Sequence, residues 1–424
     1  MRYLLARNKI GARRKVIGSA FVVCALLAVS ACNSPSGADS GGTNSTINLG
    51  LITSVTGSLA STFGPNVVAG FNARVSAQND AGGVNGHKIK VVVADDTSTP
   101  TGNVTAVQSL IGQNVFAVAS WDAFMFASYK LLNQDGIPLL GGAFGSPAFG
   151  DPALTNQFSV FGPVDPRYPP YDSYGRLFKA LGVTRLAALG YGTVPSSKLS
   201  AQAFAASAKA AGIDICYQDY GFPAGGVDFT PTALAIKNSG CNGVVAVFVE
   251  SSELALATSL HDAGVNLKGM VSTQGYDQNT LNNPQARQAA QGLTVLSRMS
   301  PITSPNAGMK TMLHQLAEYA HSTGIPSFGE FGGWLTADAL ITGLNAAGKN
   351  PTRESFEKAL RRVTDYTANG VLAGPTNFSL SKIGHGDSIM SGSLCWYAER
   401  LAGATFESVS GSTPFCGSPV MGSN

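Results

Sequence analysis

Residues 47–96 read INLGLITSVTGSLASTFGPNVVAGFNARVSAQNDAGGVNGHKIKVVVADD. The run 47–53 is short, apolar and rich in β-branched side chains, the pattern of a buried strand. Residues 54–64 are dense in Ser, Thr and Gly and predict a loop. Pro65 suits the first turn of a helix, where its missing N–H costs nothing. Val67, Val68, Phe71 and Val75 then share one face as far as about Asp80. Gly82-Gly83 stops that helix, and Asn85-Gly86 marks a tight turn. Residues 88–94 form the next strand, which ends at Asp95-Asp96. Strand, helix and strand predict a parallel βαβ unit with a right-handed crossover.

Downstream the same unit recurs in two blocks. A helix over 101–112, a strand over 116–119, a helix over 121–133 and a strand over 137–140 complete the first. Gly162-Pro163-Val164-Asp165-Pro166 breaks any regular element and marks a boundary. The second block places strands at 185–189, 213–217, 243–249, 269–272 and 292–297, with helices between them. Three helices follow, at 306–321, 331–347 and 352–363. Extended segments at 371–380, 393–399 and 405–409 close the chain, the last two as a hairpin. The fold class expected is α/β, with two doubly wound, Rossmann-like lobes joined by three hinge crossings. Residues 47–163 with 300–380 form lobe 1, and 164–299 with 381–424 form lobe 2. The crossings are expected near 162–165, 297–301 and 378–386.

The chain has 424 residues and a formal charge of +3, but the charge is concentrated at the start. Residues 1–32 carry Arg2, Arg7, Lys9, Arg13, Arg14 and Lys15 and no acid. With those six removed from 28, 22 basic residues face 25 acidic ones, a net −3. No basic patch argues for nucleic acid. A basic n-region followed by an apolar stretch at 16–31, too short for a comfortable membrane span, reads as a secretory signal. It ends Val29-Ser30-Ala31-Cys32, which is similar to the lipobox of bacterial lipoproteins; Cys32 is then the lipidation site. Residues 33–46 are rich in Ser and Gly and predict a flexible linker. The expected location is the outer face of the cytoplasmic membrane. Arg13-Arg14 also admits a twin-arginine signal, although the general export route suits the surrounding residues better.

Cys24 leaves with the signal and Cys32 is modified. Cys216, Cys241, Cys395 and Cys416 remain, and an even number in an exported chain suggests two disulfides. Of three pairings, Cys216 with Cys241 and Cys395 with Cys416 is the most economical. One objection concerns the first bridge. Cys216 falls late in its expected strand and Cys241 just before the next, at opposite ends of parallel neighbours.

Open parallel sheets bind ligands beyond the carboxyl ends of their strands. That rule selects Ser120-Trp121-Asp122-Ala123, Phe144-Gly145-Ser146, Tyr191-Gly192, the loop at Glu250, Gln274-Gly275-Tyr276-Asp277, and the loop holding Phe63. Exposed N–H groups at a helix start attract an anion such as a ligand carboxylate. Asp122, Glu250 or Asp277 suits an ammonium group, and Phe63, Trp121, Tyr191 and Tyr276 suit an apolar side chain. Together these describe an amino acid. The bland alternative is that an Asp or Ser after a strand only caps a helix.

Residues 51–100, LITSVTGSLASTFGPNVVAGFNARVSAQNDAGGVNGHKIKVVVADDTSTP, resemble the opening of the branched-chain amino-acid-binding family, type I periplasmic binding proteins of ABC importers. The GGVNGHKI turn before an acidic strand end is the most specific part. The resemblance implies a ligand carboxylate held at Ser120, Asp122, Ala123, Phe144, Gly145 and Ser146, and an aromatic contact at Phe63. It implies second-lobe contacts around Tyr191, Glu250 and Gln274–Asp277. The family's serine-threonine loop is here Ser-Trp-Asp, and its second-lobe acid falls at Gln274 or Gly275, with Asp277 displaced. These departures point away from a branched-chain amino acid and leave another amino acid, an amide or an aromatic acid.

The function expected is an extracytoplasmic solute-binding protein that works with a membrane ABC permease, as a monomer and without cofactor or metal. The alternatives are an exported hydrolase on the same scaffold, using Asp122 or Glu250, and a sensory ligand-binding protein. Enzyme motifs are weak. Gly343–Lys349 nearly matches a phosphate-binding loop, but Asn350 replaces its Ser/Thr and a helix precedes it. His314, Glu318 and His321 share a helix face without a metal-motif spacing and suit a solvated face.

Overall fold

The structure, a computed structural model, describes residues 46–142, 149, 153–161, 170–379, 395–409, 411 and 413–420. The expected signal segment with Cys32, the expected linker before Thr46, Phe144, Gly145, Ser146, the expected first crossing at 162–165 and most of the expected third lie outside the described residues.

Two sheets carry the chain. The first contains β1 (Thr46–Thr53), β2 (Lys88–Asp95), β3 (Ala117–Ser120), β4 (Leu139–Gly141) and β5 (Gln157–Ser159). Their order is β2-β1-β3-β4-β5, parallel at every pairing. Leu49, Leu51 and Ile52 of β1 are fully buried, as a central strand covered by helices on both faces requires. The second sheet contains β6 (Arg185–Tyr191), β7 (Asp214–Phe222), β8 (Gly243–Val247), β9 (Gly269–Ser272), β10 (Leu293–Ser297), β11 (Cys395–Ala402) and β12 (Thr405–Ser408). Their order is β12-β11-β10-β9-β8-β6-β7, with β13 (Phe415–Cys416) paired to β11. β6 to β10 run parallel, while β11 and β12 add an antiparallel edge. This is the α/β fold of two Rossmann-like lobes.

The chain leaves the first sheet after β5 and returns after β10. The returning helices, Ala307–Ala320 and Phe328–Ala347, pack on the first-lobe helix Pro65–Asp80. It passes to the second sheet again before β11. Helices Pro65–Asp80 and Phe328–Ala347 meet backbone to backbone at glycines. A Cβ added at Gly70 would stand 2.1 Å from the Glu330 carbonyl oxygen, and one at Gly333 2.1 Å from that of Val67.

Several expectations need correction. The helix expected over 121–133 is a short 3-10 turn, Met125–Ala127, and a helix, Tyr129–Gln134. The Asp122 carboxylate accepts the Phe124 N–H at 2.6 Å and holds the intervening chain in a tight irregular turn. The helix expected from residue 331 starts at Phe328. Ser327 Oγ accepts from the Glu330 N–H at 3.2 Å, and Glu330 Oε2 accepts from the Ser327 N–H at 2.7 Å, a reciprocal capping box. Residues 371–379 form no strand and make isolated bridges instead, Met299 with Leu372 and Tyr366 with Thr376.

Both local disulfides are present, Cys216–Cys241 and Cys395–Cys416. The objection to the first dissolves because β7 runs on to Phe222. Cys216 therefore lies near the start of its strand, at the sheet end where Cys241 leads into β8, with the Cα atoms 5.8 Å apart. Cys395 and Cys416 are register partners of β11 and β13. His314 pairs with Glu318 at 3.5 Å on an exposed helix face, and His321 ends that helix in the left-handed region.

Candidate ligand-binding site

A cavity of about 210 Å³ is lined by both lobes. Its first-lobe wall includes Phe63 after β1, Ala123 after β3, Gly142 after β4 and Phe161 after β5. Its second-lobe wall includes Tyr191 ending β6, Phe248 after β8, Gln274 and Tyr276 after β9, and Arg298 after β10. Parallel strands end on the same side of their sheet, so the segments that follow them converge on one crevice.

The wall is mostly aromatic, and packing behind it holds the rings. Tyr191 and Phe248 stack with centroids 4.6 Å apart, and Phe248 rests in turn on Phe222 and Phe229. The Tyr191 hydroxyl accepts the Val249 N–H at 3.1 Å, which fixes the ring's orientation. Tyr276 packs edge-on against Phe406 at 4.9 Å. Phe63 meets Phe328, another wall residue, in a T-shaped contact at 6.1 Å.

Of the residues selected from sequence, Phe63, Ala123, Tyr191, Gln274 and Tyr276 line the cavity. Ser120, Trp121, Asp122, Glu250 and Asp277 stand behind the wall, where most of their polar groups are engaged. Ser120 Oγ donates to Asp122 at 2.7 Å, and Asn103 Nδ2 donates to the same carboxyl group at 3.1 Å. Burial, and then the charge of Asp96, pushes the Asp122 pKa up to about 8. Asp277 caps the helix Gln278–Asn282 by accepting the Thr280 N–H at 2.7 Å. The Thr280 hydroxyl donates to Glu250, which sits behind Gly275. Trp121 is fully buried among Phe161, Phe328 and Phe331, and these three rings face the cavity in its place.

Sequence reasoning missed Phe161, which ends the extended segment expected over 157–161, Phe248, which falls inside the strand expected over 243–249, and Phe328, which precedes the helix expected from 331. It also missed Arg298. A lone basic residue directly after the apolar strand Leu293–Ser297 was the available signal. Arg298 is the one cation among the described residues of the wall, and none of those residues is an acid.

Burial, and then the neighbouring charge of Asp277, raises the Glu250 pKa from 4.5 to about 7. The folded chain thus keeps a proton that the unfolded chain releases near its ordinary value. Stability from this group is fully present below about 4.5 and is lost as pH climbs to about 7. Glu250→Gln removes that slope. Its melting temperature relative to the parent chain should rise between pH 5 and pH 8; parallel melting profiles across that range would contradict the assignment.

A family model described as periplasmic binding protein matches residues 46–390. A curated relative, Leu/Ile/Val-binding protein homolog 3 of Brucella melitensis biotype 1, is 25% identical over 274 residues, covering 58% of this chain and 72% of the relative. Among solved structures, a fatty acid ABC transporter substrate-binding protein from Thermomonospora curvata superposes with a TM-score of 0.70 at 18% identity, covering 88% of this chain and 93% of that one. An ABC transporter solute binding protein from R. palustris, in complex with benzoate, superposes with a TM-score of 0.69 at 17% identity, covering 87% and 97%.

Proposed function

The chain belongs to the periplasmic binding protein family, and from that premise we propose that it is the extracytoplasmic solute-binding component of an ABC importer, holding a small organic solute with a largely apolar body between its lobes. The observation that carries this reading is the aromatic cavity formed by strand-end segments of both sheets. A ligand touching both lobes favours the closed arrangement over the open one, which a permease can sense. The lobe boundaries proposed, 47–163 with 300–380 and 164–299 with 381–424, are supported by sheet membership.

The solute named first from sequence, an amino acid, needs an acid facing its ammonium group. Asp122, Glu250 and Asp277 stand behind the wall, which supports an uncharged or anionic apolar solute instead. The ligands named for the relatives reach from Leu/Ile/Val to fatty acid and benzoate, so the family's fold accommodates such a change. A hydrolase using Asp122 or Glu250 would need either carboxylate at the cavity.

Thermal-shift screening of the purified protein against amino acids, amides, fatty acids and aromatic acids tests the reading. At a concentration ~100 times Kd a true ligand stabilises by ~2.7 kcal/mol, a readily measured rise in Tm. A ligand should be recovered unchanged after incubation. No stabilisation by any class overturns the solute reading, and turnover overturns the non-enzymatic one. Membrane attachment through Cys32 is proposed from its resemblance to a lipobox cysteine. Cys32→Ala should move the exported protein from the membrane fraction to the soluble one; retention in the membrane fraction contradicts the anchor.

A further inference from the structure

Arg298 touches described residues that flank each of the three expected inter-lobe connections. It follows β10, on the segment by which the chain returns to the first lobe. Its Nη1 donates to the carbonyl oxygen of Phe161, the last described residue before the first crossing, at 3.2 Å. Its Cζ lies 4.9 Å from the centroid of the Phe161 ring and 4.1 Å from that of Trp396. Trp396 is the second residue of β11, the second-lobe strand that follows the third crossing. The Arg298 carbonyl accepts the Ala373 N–H at 2.8 Å, from the segment that leads into that crossing. The side chain is half-buried and lines the cavity, with Tyr171 and Tyr174 in the same wall.

A guanidinium in this position has consequences for the ligand. Its five N–H donors lie in a rigid plane, and the fork they form matches a carboxylate bidentately. Charge attracts charge more strongly in a poorly solvated cavity than in water. The described wall holds one cation and no acid, so its field favours an anion. The aromatic rings around it accept an apolar body.

Resting on the solute-binding reading above, we propose that Arg298 receives the carboxylate of an apolar-bodied organic acid, so that the ligand's charge is bound at a residue that touches the flanks of all three crossings. The carboxylate fixes the fork, the fork is stacked on rings from either side of the crossings, and the bound acid thereby fixes the angle between the lobes. A neutral solute of the same shape fills the cavity and lacks this coupling.

The test titrates the full mature protein calorimetrically with benzoate and hexanoate and with their neutral counterparts, benzamide and hexanamide. At least one acid should bind at least ~30-fold more tightly than its amide. Arg298→Met keeps the apolar stem of the side chain without its guanidinium and should lose at least ~30-fold in acid affinity with little change for the amide. Arg298→Lys should recover part of the loss, because it restores charge without the fork. If Arg298→Met does not fold, the acid-to-amide ratio of the parent protein decides by itself. Amides that bind as tightly as acids, or an Arg298→Met protein within threefold of the parent for acids, overturn the assignment. Binding of amides without acids does so too, while leaving the solute-binding reading standing. No binding of either acid also overturns it, and the broader thermal-shift screen then judges the reading beneath.

Discussion

Gly70→Val is expected to destabilise the protein by about 3 kcal/mol, at the upper end of the range for overpacking a close-packed interior. Gly70 lies in helix Pro65–Asp80, and its missing Cβ is what lets the backbone of helix Phe328–Ala347 approach. The atom met at 2.1 Å is a carbonyl oxygen, which cannot swing aside as a side chain can. Gly333 opposes Val67 in the same way, so relief requires the helices to separate along the whole contact. That separation sacrifices dispersion contacts over the pair's length. Urea unfolding midpoints measure the loss. Gly112→Ala is the control, because a Cβ there meets nothing within 4 Å and alanine is the better helix former. A Gly70→Val protein within about 1 kcal/mol of the parent, the lower edge of the overpacking range, would refute the close approach.

Trp121→Ala is expected to cost about 3–5 kcal/mol, the usual penalty for emptying a large aromatic site in a core. The ring is fully buried, with centroids 5.2 Å from Phe161, 5.2 Å from Phe328 and 6.4 Å from Phe331. Gly332 faces it so closely that a Cβ there would lie 1.8 Å from the indole Cε2. Because those three phenylalanines line the cavity, the variant should lose stability and ligand affinity together. Denaturant unfolding and ligand titration on one preparation separate the cases. Lost binding at unchanged stability would mean that Trp121 touches the ligand, as its place after a strand first suggested. Trp121→Phe keeps part of the volume and should fall between the two.

These two residues show where the sequence is legible and where it stops. Periodicity located β1, helix Pro65–Asp80 and β2 almost to the residue, because β-branched runs, a Pro at the helix start and Gly-Gly stops act within a few neighbours. The start of helix Phe328–Ala347 is also legible, since Ser327 and Glu330 spell a capping box. Asp122 illustrates the opposite limit. An acid after a strand looks the same whether it faces a ligand or turns inward to bond Phe124, Asn103 and Ser120.

By itself the sequence determined the βα repeat, its division into two blocks and the strand ends at which a ligand cavity opens. It also made the two local cysteine pairs the most economical of three pairings. All of these follow from interactions between residues close in the chain. Only the tertiary structure decided which strand-end residues form the wall and which support it. It alone brought Phe161, Arg298 and Trp396 into one stack, from segments separated by more than a hundred residues at one step and nearly a hundred at the next. Such a stack depends on how two sheets are set against each other, which is a matter of long-range packing and has no local pattern to read.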